Sequence, residues 1–149
     1  YFVTGLGAML THMTVIAVQY YKALALITPD QLQEVLDNGY NYALQLKAYT
    51  NPAMRELQSI LYTPTVGASG AVFGVLLAFG VLFPNTQLML LFPPIPMRAK
   101  YFVMIYGGLE LYLAITQPGS SIAHTAHLGG MIFGYILIRI WRRTTKTLY

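Results

Sequence analysis

The chain has 149 residues and a net charge of +4; 56% of it is hydrophobic and only 9% is charged. Soluble domains carry about 25% charged residues, so this chain has too few charges to clothe a water-facing surface, which excludes an ordinary soluble domain. It has no cysteine, which excludes disulfides and thiolate metal sites.

The first apolar segment, Tyr1 to Tyr21, contains no Lys, Arg, Asp or Glu. No basic stretch precedes it, as a signal peptide would require, and it begins with Tyr rather than Met. It reads as a membrane helix of a chain cut from a longer protein. Residues 22–59 are long and polar, and "TPDQLQEVLDNG" carries a helix signature. Thr28 or Asp30 can cap that helix, Pro29 suits its first turn and Gly39 is expected to end it. This link reads as an interfacial or solvent-exposed helix.

A second apolar segment is expected from about Ile60 to Phe83, stopping at Pro84. The link "PNTQLMLLFPPIPMRAK" holds four prolines and cannot be one straight helix. A third segment runs from Tyr101 to Gln117, and a fourth, after the short "QPGSS", from Ile122 to Ile138. Each is near the roughly 17–25 residues that span a bilayer. The expected fold is all-α: a polytopic transmembrane bundle of four membrane helices, one membrane domain over residues 1–149 with an extramembrane helical link at about 22–59.

Charge orients this bundle. Arg98 and Lys100 in the third link, and Arg139, Arg142, Arg143 and Lys146 in the tail, have no acidic neighbours in their segments. By the positive-inside tendency these two segments face the cytoplasm, and the 22–59 and "QPGSS" links face outward. Ser69 then lies about nine residues into the second segment from its outer end, and His127 about five residues into the fourth. At ~1.5 Å per residue both fall on the order of 10 Å below the outer boundary.

Small residues bring the two segments together. Gly70, Gly74 and Ala78 recur at four-residue spacing on the second segment, and Ala126, Gly130 and Gly134 on the fourth. Such ridges let helix backbones approach closely in lipid. Ser69 precedes one ridge and His127 follows the start of the other, so a Ser–His contact is available. Imidazole, with an ordinary pKa of about 6.5, can take the proton that makes a serine oxygen nucleophilic. Gly67 and Gly70 free the backbone around Ser69, and the amides of Ala68 and Ser69 at a helix start are unpaired and point toward a developing oxyanion. Glu110 is the sole carboxylate in the apolar segments. It is expected to lie several turns deep, bonding helix to helix, with no part in a triad. His124 either reaches the site or sits at the membrane interface, and His12 packs or touches headgroups.

"GASGAVFG" together with "AHTAHLGGMIFG" closely resembles the rhomboid intramembrane serine proteases, as do "LFPN" and "FPPIPMRAKY". The resemblance covers helices three to six of a six-helix core, leaving out the 22–59 link. It implies a rhomboid-like bundle in which Ser69 is the nucleophile, His127 the general base, and Gly67 part of the loop whose backbone helps form the oxyanion hole. Phe73 stands where some members pack a tyrosine on the histidine. The third segment and "QPGSS" resemble the gate and cap over the site. The resemblance further implies transmembrane protein substrates in a lipid bilayer and no metal or cofactor. The family's first two helices, with their Trp-Arg loop and an oxyanion-assisting His and Asn, are not in this sequence, so the chain by itself is expected to be inactive. The expected location is a bacterial cell membrane, with the C-terminus cytoplasmic and the site toward the outer side.

Two other readings remain open. One is an inactive relative that binds transmembrane helices without cutting them. The other is a transporter fragment, which would call for paired broken helices and more intramembrane charge than Glu110 supplies. The soluble-hydrolase serine elbow is excluded, because its fifth position is Ala71 and no strand precedes it. The basic residues sit at membrane edges, so no nucleic-acid partner is expected.

Overall fold

The computed structural model describes residues 1–64, 67–89, 94–117 and 123–144, with side chains to 142. Among them are six helices: α1 (Phe2–Leu24), α2 (Pro29–Leu44), α3 (Pro52–Tyr62), α4 (Ser69–Leu82), α5 (Ala99–Thr116) and α6 (His124–Thr144). Two short strands, β1 (Gln87–Met89) and β2 (Pro96–Arg98), pair antiparallel, with Leu88 opposite Met97. The proline-rich third link is therefore in part a ribbon, and its residues 90–93 lie outside the described set, as does most of "QPGSS". The chain divides into two compact units, one of residues 1–12, 67–118 and 123–149, the other of residues 13–66 and 119–122.

In the second unit, local chemistry starts each helix. Thr28 caps α2 in a reciprocal box: its hydroxyl accepts from the Gln31 amide and its own amide donates to Gln31 Oε1. Asn51 Oδ1 accepts from the Ala53 amide at 2.9 Å to cap α3, and Pro29 and Pro52 each take a first-turn position that needs no N–H. Gly39 does not end α2, which continues to Leu44. It is buried, and a Cβ there would fall 2.6 Å from the Tyr62 ring, so this glycine serves close packing. Ala23, Val35, Tyr49, Met54 and Leu57 form the core of this unit. Gln58 Nε2 donates to the carbonyls of Gly39 and Lys47, closing the α2–α3 pair.

The expected second apolar segment is not continuous. Its first residues belong to α3, which ends at Tyr62, and α4 starts afresh at Ser69. Amphipathic patterning explains the break: Leu57 is fully buried in the second unit's core while Glu56 and Arg55 on the same helix are exposed, which is not the surface of a lipid-facing helix.

In the first unit, α4 and α6 run parallel and touch backbone to backbone. A Cβ on Gly134 would lie 2.6 Å from the Gly74 carbonyl oxygen, one on Gly74 would lie 2.7 Å from that of Gly130, and one on Gly130 would overlap the carbonyl of Gly70. The two small ridges do face each other, as their spacing predicts. The start of α1 runs antiparallel to both, with Thr4 against Gly74, Ala8 against Gly70 and Thr11 against Gly129. The helix α5 is also antiparallel, placing Val103 on Gly80 and Met131 of α6 on Gly107. By length and composition α1 is apolar enough to cross a membrane; α4 is apolar but has 14 residues. The expected four spans thus reduce, on those criteria, to one clear candidate within an all-helical bundle.

Substituting Gly130→Ala should lower unfolding stability in detergent by about 3 kcal/mol, the upper range for overpacking against an unyielding neighbour. Gly108→Ala, where nothing lies within 4 Å of the new Cβ, should be neutral or stabilising by less than about 1 kcal/mol. Equal effects in a thermal melt of the two variants would contradict the backbone contact.

Candidate active site

Ser69 is the first residue of α4 rather than one buried several turns within a helix. Ala68 is its N-cap residue, with no side-chain cap, and Gly67 before it has φ +147, a conformation open to glycine and strained for other residues. The first amides of α4 therefore have neither helical carbonyl partners nor a capping side chain. Gly67, Ala68 and Ser69 are all exposed.

His127 lies one turn into α6 and is buried. Its Nε2 is 2.8 Å from Ser69 Oγ. The parallel α4–α6 contact sets this distance, because Gly70 next to Ser69 abuts the carbonyl of Ala126 next to His127. Phe73, one turn after Ser69, stacks on the imidazole with ring centres 4.1 Å apart and planes 11° from parallel. Tyr106 of α5 packs against Phe73 with ring centres 5.7 Å apart and planes tilted by 46°. Together they fix the ring plane that brings Nε2 toward the hydroxyl.

The expectation for Glu110 fails on position. Its Oε2 is 2.7 Å from His124 Nδ1 and 3.0 Å from His127 Nδ1. Glu110 is six residues before the end of α5 at Thr116, about 9 Å of helix, and lies level with the first turn of α6, where His124 and His127 stand. The expected helix-to-helix bond is present, since Glu110 of α5 joins His124 of α6. The contact with His127 is close but off-axis, so His127 Nδ1 is buried without a well-aligned hydrogen bond. Glu110 and His124 are each 6% exposed. His124 therefore belongs to this buried group. His12, expected to pack or touch headgroups, has its Nδ1 2.7 Å from Thr125 Oγ1 on α6.

Glu110, His124 and His127 also offer three ligand atoms within 4.8 Å of one another, close enough to consider a metal ion. Ligand atoms sharing a tetrahedral zinc at ~2.1 Å stand about 3.4 Å apart, whereas the His124–Glu110 separation is that of a hydrogen bond. Within the group Glu110 and His124 are hydrogen-bonded to each other, and His127 Nδ1 lies beside the same oxygen. Sequence reasoning missed Glu110 as a neighbour of His127, although a lone carboxylate in an apolar segment is a functional signal by default.

A family model described as Rhomboid domain matches residues 39–144. The chain belongs to the rhomboid family. The rhomboid match starts inside α2, so it takes in much of the link that motif resemblance omits and leaves α1 outside. A yeast rhomboid, "Rhomboid protein 1, mitochondrial" of Saccharomyces cerevisiae, is 36% identical over 73 residues, 49% of this chain and 21% of that protein. The chain thus spans about a fifth of the length of the curated rhomboid it matches. No solved structure matches. Rhomboid membership makes this an integral membrane protein, and with a mitochondrial relative the expected bacterial location loses its support.

Phe73 is half-buried, so Phe73→Ala should cost about 2 kcal/mol through lost area and ring stacking. Phe73→Tyr should change stability by less than about 1 kcal/mol. Chemical denaturation of both variants checks the pair.

Proposed function

We propose that this chain carries the reaction centre of an intramembrane serine endopeptidase, with Ser69 as nucleophile and His127 as general base, acting on transmembrane segments of other membrane proteins. The observation that carries the reading is the 2.8 Å separation of Ser69 Oγ and His127 Nε2 at paired helix starts. In the reaction Nε2 takes the hydroxyl proton as Oγ attacks the peptide carbonyl carbon. The oxyanion is held by backbone amides around Gly67, Ala68 and Ser69, aided by the positive end of the α4 dipole. Protonated His127 then gives its proton to the leaving amine, and the acyl-enzyme is hydrolysed by water that Nε2 deprotonates.

The same reading has α1, α4, α5 and α6 cross the bilayer. A helix of 14 residues is about 21 Å long, short of the ~30 Å hydrocarbon core. With the α4 C-terminus at one boundary, Ser69 lies about 9 Å inside the other. That depth comes from a short helix, not from a serine set midway along a long one. Irregular backbone at such a level is tolerated where it lines a water-filled cavity, which hydrolysis also needs. Arg98, Lys100, Arg139 and Arg142 mark the opposite end of the first unit, where Arg142 reaches the Val81 carbonyl, and that end faces the positive-inside compartment.

Labelling of the intact protein in its membrane with a serine-reactive fluorophosphonate tests this. Wild type should be labelled, and Ser69→Ala and His127→Ala should each lose the label. A folded wild type that takes no label would favour a rhomboid-like protein that binds membrane helices without cutting them.

A further inference from the structure

We infer that Glu110 is a positioning residue for the reaction centre, one carboxylate oxygen from α5 shared between the two imidazoles of α6. The inference rests on the proposed Ser69–His127 chemistry. If Nε2 of His127 accepts the serine proton, the ring's own proton must sit on Nδ1. That Nδ1 is buried, and Glu110 Oε2 lies 3.0 Å from it. A single oxygen facing two Nδ1 atoms can donate at most one proton but can accept from both. The shared position of Oε2 therefore suits an acceptor and selects the Nδ1–H tautomer of each ring.

The imperfect alignment has a mechanistic meaning. Before reaction His127 is neutral, and its Nδ1–H gains little from an off-axis carboxylate. When the Ser69 proton moves to Nε2, the ring becomes an imidazolium whose Nδ1–H faces a carboxylate across 3.0 Å in a buried setting. No proton passes to Glu110; it stabilises the charge. The interaction is stronger in the charged state than in the resting one, so it acts on turnover more than on binding. His124 has the supporting part. Its Nδ1–H donates to the same oxygen at 2.7 Å and keeps the carboxylate from swinging along α5. Phe73 on the face of His127 and Glu110 at its edge together leave the ring one orientation.

The test compares Glu110→Gln, Glu110→Asp and His124→Ala in the intact protein, reading kcat and KM on a transmembrane substrate together with fluorophosphonate labelling of the folded fraction. Glu110→Gln should lower kcat by about 10–100-fold with KM within about twofold. Glu110→Asp should recover part of the loss, and His124→Ala should lose about 3–10-fold. In wild type a downfield Nδ1–H proton resonance of His127 should be present, and Glu110→Gln should shift it. If Glu110→Gln keeps full kcat and labelling while Ser69→Ala loses both, Glu110 is structural and this inference falls while the protease reading stands. If wild type neither cuts nor labels, both fall. Activity that a chelator abolishes and zinc restores would also overturn it, since the carboxylate would then be a ligand.

Discussion

The contact on which the first unit depends is backbone to backbone: Gly70 and Gly74 of α4 against Gly130 and Gly134 of α6. With side chains of ordinary size the helices would stand 8–10 Å apart or more, and a serine and a histidine on adjacent faces would fall short of hydrogen-bonding distance. Glycine removes that spacing. It also leaves no freedom of register, because each carbonyl sits where a neighbouring Cβ would be. The separation of Ser69 and His127 follows from this packing, not from any attraction between the two polar groups.

An apolar bundle that encloses polar groups must satisfy them internally. Thr4 Oγ1 donates to the Tyr1 carbonyl, Thr11 Oγ1 to that of Gly7, and His12 finds Thr125. Glu110 is the costliest group, a carboxylate 6% exposed, and two imidazoles converge on it. The arrangement ties α5 to α6 at the level of Ser69, so one polar cluster joins the structural bond between helices to the chemistry proposed at the serine.

The second unit is built on different terms. Its helices are short, capped by Thr28 and Asn51, and closed over a small core in which Leu57 and Val35 are fully buried. Polar side chains reach across it to backbone carbonyls: Gln58 to two of them and Tyr49 to that of Glu34. Together with exposed charges on α2 and α3 they account for the polar composition of residues 22–59, which set this stretch apart from its apolar flanks.

Much of this was written locally in the chain. Pro29 after Thr28 marks a helix start whatever surrounds it, because capping uses only adjacent residues. The four-residue rhythm of Gly70 and Gly74, matched by Gly130 and Gly134, names two faces able to approach, and the motifs around Ser69 and His127 name the family. Other features were settled only by the folded chain. Gly39 resembles a helix stop until Tyr62 is seen packed over it; the apolar run after Ile60 resembles one span until α3 is seen to bury Leu57 elsewhere. Glu110 resembles an isolated bond between helices until His124 and His127 are both seen beside it. Periodicity and caps are properties of neighbours in sequence, whereas the company of a buried carboxylate depends on how distant helices slide past one another, and no single segment records that.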